Sequence, residues 1–202
     1  PTRQEMGAQL AREHPVDADL VTYVPDSAMV AGNGYALESG IPFAETLVKN
    51  RYVGRTFIKP DQNMRDEGVR LKFNPLPEII RGKRLIVVDD SIVRGTTNKH
   101  VVALLRAAGA KEVHLRICSP PIQSPCHFGI DMPNRWELIA SDKSIDEIAE
   151  IMGVDSLGYL SLDGLKNAIG RGTNGYCDAC FTGNYPLPIQ LEMSKLDLEK
   201  DY

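Results

Sequence analysis

Apolar and polar positions fall in blocks along this chain, and the sharpest block lies near its centre. Leu85 to Val88 are four consecutive large apolar residues, opened by Arg84. So short an unbroken apolar run predicts a strand buried on both faces, as in a parallel sheet. The run stops at two adjacent carboxylates, Asp89 and Asp90, and small or hydroxyl residues dominate from Ser91 to Thr97. Val101, Leu104, Leu105 and Ala108 then recur at helical spacing, with Gly109 as a C-terminal stop. The unit is strand, acidic pair, small-residue loop, helix.

Upstream, Arg3 to Glu13 reads as a helix with Met6, Leu10 and Ala11 inward, ended by His14 and Pro15. Asp19 to Val24 is the first clear strand. It finishes at Pro25, Asp26 and Ser27, and a helix from Ala28 to about Glu38 is stopped by Gly40. This second strand–loop–helix unit again sets a carboxylate and a hydroxyl at a helix start. Asp26 or Ser27 is expected to cap that helix, a contribution of about 1 kcal/mol. Phe43 to Val48 reads as a short third strand. From Lys49 to Pro75 no helical or strand period holds, and Glu78 to Gly82 leads into the central strand. Downstream, Glu112 to Ser119 alternates as a strand, with His114 as a surface or sheet-facing residue, and Pro120-Pro121 breaks the chain. Arg135 to Ala140 and Ser144 to Ile151 read as short helices, the second with a Ser144–Glu147 capping box. Leu157 to Leu160 suits an edge strand, Ser161 to Ile169 a helix, and Gly170 to Gly175 a flexible loop. Residues 1–188 form one domain, and 189–202 form a charged tail expected to fray.

The central unit carries the chemistry. A helix N-terminus offers unpaired N–H groups and the positive end of the helix dipole, so a phosphate can sit there. Gly95 lets the backbone approach, and the hydroxyls of Ser91, Thr96 and Thr97 can donate. Carboxylates repel a phosphate, so Asp89 and Asp90 suit sugar hydroxyls or a Mg²⁺ ion instead. An isolated acidic pair would be an ordinary βα turn; the whole string fits a sugar-phosphate cradle. Lys49, Arg51, Arg55, Lys59, Arg65, Arg70 and Lys72, with Gly54 and Gly68 as hinges, make 49–75 a basic lid beside that anion site.

At 202 residues, with 43% hydrophobic and 25% charged content, the chain suits one globular domain. A net charge of −4 gives no pointer to nucleic acid, and no apolar run approaches a membrane span. The four cysteines do not make a disulfide framework. Cys177 and Cys180 form a C-x-x-C pair whose spacing lets two thiolates face one metal, or else a redox pair. Cys126 lies in a distant loop.

The string VVDDSIVRGTT resembles the PRPP-binding signature of type I phosphoribosyltransferases, in the form seen in the glutamine phosphoribosylpyrophosphate amidotransferase family. Similarity runs from about Met6 to Pro186 through HPVDADLVTYVPDS, SGIPF, KNRYVGRTFI, RICSPPI, CHFGID, ELIAS and CDACFTGNYP. The resemblance implies an α/β type I phosphoribosyltransferase fold: a mostly parallel twisted sheet flanked by helices, with a flexible lid. It implies transfer of ammonia to C1 of PRPP with release of pyrophosphate. PRPP would be bound by Asp89, Asp90, Ser91, Ile92, Val93, Arg94, Gly95, Thr96 and Thr97, and by Lys49, Arg51, Tyr52 and Arg55 of the lid. Ser27, Asp89 and Asp90 would hold Mg²⁺. Cys126, Cys177 and Cys180 would supply three ligands of a [4Fe–4S] cluster whose fourth lies upstream in the family, with zinc as the competing occupant. No catalytic nucleophile is implied.

The family takes its ammonia from glutamine through an N-terminal glutaminase domain. A chain opening at Pro1 reads as the C-terminal piece, expected to use free ammonia and not glutamine. The full-length enzyme is expected to be cytoplasmic and homo-oligomeric, with purine nucleotides as feedback inhibitors and no nucleic-acid or membrane partner. A salvage phosphoribosyltransferase, a non-catalytic PRPP-sensing regulator of the same fold, and a metal–sulfur protein with an incidental sugar-phosphate fold are the alternatives.

Overall fold

The structure is a computed structural model, and it describes residues 1–50, 72–128, 134–170 and 175–188. Four parallel strands form the central sheet: β1 (Leu20–Tyr23), β4 (Arg84–Asp89), β5 (Glu112–Ile117) and β6 (Ser156–Tyr159), in that spatial order. Beyond β1, Phe43 bridges Val21 in parallel, with Val21 N donating to Pro42 O and Ala44 N to Val21 O. A separate antiparallel pair joins β2 (Leu47–Lys49) to β3 (Phe73–Pro75).

Both faces of the sheet are covered, which explains the unbroken apolar run of β4. Leu85 and Val87 point to one face, where they meet α4 (Thr96–Ala107) through Val101, Val102 and Leu105 and α5 (Ile145–Met152) through Ile148 and Met152. Ile86 and Val88 point to the other, against Leu10 and Ala11 of α1 (Thr2–Glu13) and Ala31 and Tyr35 of α2 (Met29–Ser39). Helices α1 and α2 approach so closely that glycine is needed on each. A Cβ on Gly7 would lie 1.9 Å from Ala31 O, and one on Gly34 would lie 2.0 Å from Gln4 O. Among the described residues the remaining α-helices are α3 (Pro77–Ile80), α6 (Leu162–Ile169) and α7 (Ala179–Thr182).

Most expected elements form where the pattern puts them. The Ser144–Glu147 capping box is complete, and Ser161 caps α6 by accepting from Gly164 N. Three elements differ from the expectation. The third strand is split, because Phe43 pairs with β1 whereas Leu47–Lys49 turns away to pair with Phe73–Pro75. That pairing makes a strand of Phe73–Pro75, at the end of the stretch that showed no period in the sequence. The helix over 135–140 is two 3₁₀ turns, Arg135–Glu137 and Ile139–Ser141, broken at the extended Leu138. Neither Asp26 nor Ser27 caps α2, whose N-cap position is Ala28. Of the two readings of His114, the sheet-facing one holds: it is buried on β5, held by Ser156 Oγ and Glu112. The loop from 171 to 174 and the tail 189–202 lie outside the described residues. No described helix is long and apolar enough to cross a membrane.

Candidate active site

Chain direction locates the site. From β1 the chain crosses to one side, to Phe43, and then returns to the other side as β4. Ligands of open α/β sheets bind outside the carboxyl ends of strands at such a reversal. The two segments that leave β1 and β4 there are Pro25–Ala28 and Asp90–Gly95.

The acidic pair is divided between interior and surface. Asp89 has the parity of Leu85 and Val87, so it faces α4, and only 6% of its surface is exposed. Its Oδ1 accepts from Asp90 N at 2.8 Å, and its Oδ2 accepts from Asn98 Nδ2 at 2.6 Å. Burial, together with the neighbouring Asp90 charge, pushes the Asp89 carboxyl up to about 8. Asp90 is exposed, and Ser91 Oγ contacts it at 3.4 Å. Cys118 follows β5, donates its backbone N–H to Asp89 O at 2.9 Å, and has its thiol raised well above the ordinary range by burial and by both acids.

The loop after the acids is braced from outside. Ile139 N donates to Val93 O at 2.9 Å, and Arg94 pairs with Glu137 at 3.1 Å. Gly95 has φ +79° and is the N-cap residue of α4. A Cβ there would come 2.2 Å from Met152 Cε and 3.1 Å from Ile139 Cδ1. Gly95 is therefore demanded by its backbone angle and by packing, not only by the approach of a ligand. Ile92 is buried in the core, so only its backbone can face a ligand. No side-chain hydrogen bond caps α4. Its first amides thus stay available to an anion, flanked by the half-exposed Thr96 and Thr97.

The second loop is built differently. Its Pro25–Asp26 peptide is cis, and Asp26 and Ser27 are exposed. Asp26 is paired with Lys49 of β2 at 2.6 Å. Lys72, at the foot of β3, is half-buried; burial and the nearby Lys49 charge lower its ammonium below the ordinary lysine range, against the pull of Asp26 and Asp89. Lys49 and Lys72 thus bring positive charge to the crevice. Arg51, Tyr52 and Arg55 lie outside the described residues.

The cysteine segments also meet. Gln123 N and Ser124 N both donate to Cys180 O, at 2.9 and 3.1 Å, which ties the Cys126 loop to α7. The Cys180 thiol is raised, first by burial and then by the nearby Cys126 and Cys177. All four cysteines are free, and Cys118 is buried at the end of β5. Among the described residues, no three His, Cys, Asp or Glu side chains are grouped to hold one metal ion.

Sequence reasoning named the acids and the loop but missed Asn98. Its signal was available: Asn98, Val101, Val102 and Leu105 all lie on the buried stripe of α4, and Asn98 is the polar member.

A family model for the phosphoribosyl transferase domain matches residues 21–119, from β1 through the segment just after β5. Together with the parallel sheet flanked by helices, this match gives the chain a phosphoribosyl transferase domain with the type I phosphoribosyltransferase fold. The chain is similar to amidophosphoribosyltransferases. It is 58% identical over 189 residues to the one from Archaeoglobus fulgidus, covering 93% of this chain and 41% of that protein. With the one from Synechocystis it shares 54% identity over 199 residues, covering 98% and 40%. A solved structure of glutamine PRPP amidotransferase from B. subtilis, complexed with ADP and GMP, is 50% identical with a TM-score of 0.85, covering 96% of this chain and 43% of that one. The chain thus spans about two fifths of the length of the curated relatives it matches.

Proposed function

We propose that this chain performs the phosphoribosyl-transfer reaction of an amidophosphoribosyltransferase. Ammonia attacks C1 of PRPP, the bond from C1 to the pyrophosphate oxygen breaks, and loss of a proton from nitrogen leaves 5-phosphoribosylamine. This is the first step of de novo purine biosynthesis. The observation that carries the reading is the pairing of an uncapped α4 N-terminus with the exposed Asp90 at the sheet's reversal point.

Each part has a separate task. The 5′-phosphate takes the backbone of Ser91 to Gly95 and the first amides of α4, with Thr96 and Thr97 donating. Asp90 accepts from the ribose hydroxyls, and its charge favours the cationic sugar that develops as pyrophosphate leaves. Asp89 holds the start of the loop in place from behind. Lys49 and Lys72 offset the charge of the departing pyrophosphate, and Ser27 presents a hydroxyl to it. Mg²⁺ would neutralise pyrophosphate when bound, held by the exposed Asp90 and Ser27 and by Asp89, whose oxygens each keep a lone pair beyond the hydrogen bond they accept. Proximity and charge supply the catalysis, so no nucleophile is needed.

In the whole protein we assign the ammonia to glutamine, the location to the cytoplasm, and the regulation to purine nucleotides acting on a homo-oligomer. A [4Fe–4S] cluster there would draw on Cys126, Cys177 and Cys180. The activity of the chain itself is tested by pyrophosphate release from PRPP with ammonium and Mg²⁺. The expected result is ammonium-dependent release that falls about 10²-fold in Asp90→Asn. No release by the unmutated chain, or a rate untouched by the substitution, would contradict the assignment.

A further inference from the structure

Two polar residues interrupt two facing apolar stripes, and they meet. On β4 the residues facing α4 are Leu85, Val87 and then Asp89; on α4 the buried residues are Asn98, Val101, Val102 and Leu105. Asn98 is 4% exposed and Asp89 6% exposed, and they share the 2.6 Å bond from Asn98 Nδ2 to Asp89 Oδ2. Removing either from the interior to water would be favourable for that side chain alone, so its burial is compensated through the partner.

The position of this bond matters more than its strength. Asp89 ends the strand, and its other oxygen holds the amide of Asp90, the first loop residue. Asn98 lies in the first turn of α4, just beyond the last loop residue, Gly95. The Asp89–Asn98 bond therefore ties the two ends of the Asp90–Gly95 loop together. The acid end of that loop faces the ribose in the proposed function, and the helix end faces the 5′-phosphate.

We infer that Asn98 is a positioning residue that locks the ribose-binding acid and the phosphate-binding helix turn into one rigid cradle. A neutral amide suits this role. It donates to the buried carboxyl without adding a cation that would draw the substrate phosphate toward the acids. The outer braces, Ile139 to Val93 and Arg94 to Glu137, fix the middle of the loop and leave its two ends to Asp89 and Asn98. Asn98 touches no substrate atom in this account. It acts on alignment, so its loss falls on ligands that span both ends.

This inference rests on the proposed function, and the test separates the two. Asn98→Ala and Asn98→Ser are compared with the unmutated chain, using inorganic phosphate, ribose 5-phosphate and PRPP as probes. Inorganic phosphate needs only the helix end, whereas ribose 5-phosphate needs both ends. The expected result for Asn98→Ala is a loss of about tenfold or more in affinity for ribose 5-phosphate and in kcat/KM for PRPP. Its affinity for inorganic phosphate should stay within about twofold. Asn98→Ser keeps a donor and should recover part of the loss, which a purely structural role in the helix would not require. Equal losses for phosphate and ribose 5-phosphate, or none for either, would overturn the inference. An unmutated chain that binds inorganic phosphate but neither sugar phosphate would instead defeat the proposed function.

Discussion

The two strand–loop–helix units at the crevice share a sequence plan and differ in construction. After β4, the loop is braced at every point: an acid behind its start, a glycine with φ +79° at its end, and Ile139, Glu137 and Met152 against its outer side. After β1, the loop leaves Asp26 and Ser27 exposed, makes no side-chain cap on α2, and is held by the partly exposed Asp26–Lys49 ion pair and by Arg3, which donates to Ser27 O at 3.4 Å. A site built to hold a fixed phosphate needs amides already in place. A site for a leaving group needs charge that can be rearranged. The contrast suits the proposed function, in which the first loop takes the 5′-phosphate and the second the pyrophosphate.

Substitutions in the two loops should therefore differ in stability as much as in binding. The largest effect is expected for Gly95→Val. The left-handed backbone costs about 1–2 kcal/mol for a residue with a Cβ, and crowding against Ile139 and Met152 adds about 1–3 kcal/mol. Denaturant unfolding should show both, together with loss of phosphate binding. Next comes Asp89→Asn, whose effect depends on pH. An aspartate in the unfolded chain titrates at about 3.9, whereas the folded Asp89 titrates at about 8. Between these values the folded chain holds a proton that the unfolded chain does not. Wild-type stability thus falls as pH rises through that window, with a slope approaching about 1.4 kcal/mol per unit. Asparagine does not titrate, so the variant's relative stability should climb from about pH 5 to about pH 8, measured without divalent cations. Parallel curves would show that Asp89 is not buried as described. The smallest effects belong to the second loop: Asp26→Asn should cost less than about 1 kcal/mol, and Ser27→Ala should stay within about 0.5 kcal/mol.

Elements with a strong internal period were legible in the sequence. The apolar run of β4, the alternation of β5 and the capping box of α5 each specify local structure by contacts close in the chain. What escaped depends on partners distant in sequence. Phe73–Pro75 becomes a strand only because Leu47–Lys49 lies beside it, and Phe43 joins the sheet as a single bridge. Within the site, the order Asp-Asp was plain, but the division of labour was not. It follows from parity: Asp89 continues the inward series of Leu85 and Val87, and Asp90 falls outside it. The same register that buries the core commits the first acid to Asn98 and leaves the second exposed.

The most direct test of the two-loop assignment is ³¹P NMR of PRPP with the chain, since the sugar phosphate and the pyrophosphate give separate resonances. The assignment predicts that all of them shift on binding, and that Gly95→Val abolishes the shift of the 5′-phosphate. A 5′-phosphate resonance that stays at its free position while the unmutated chain binds PRPP would contradict it.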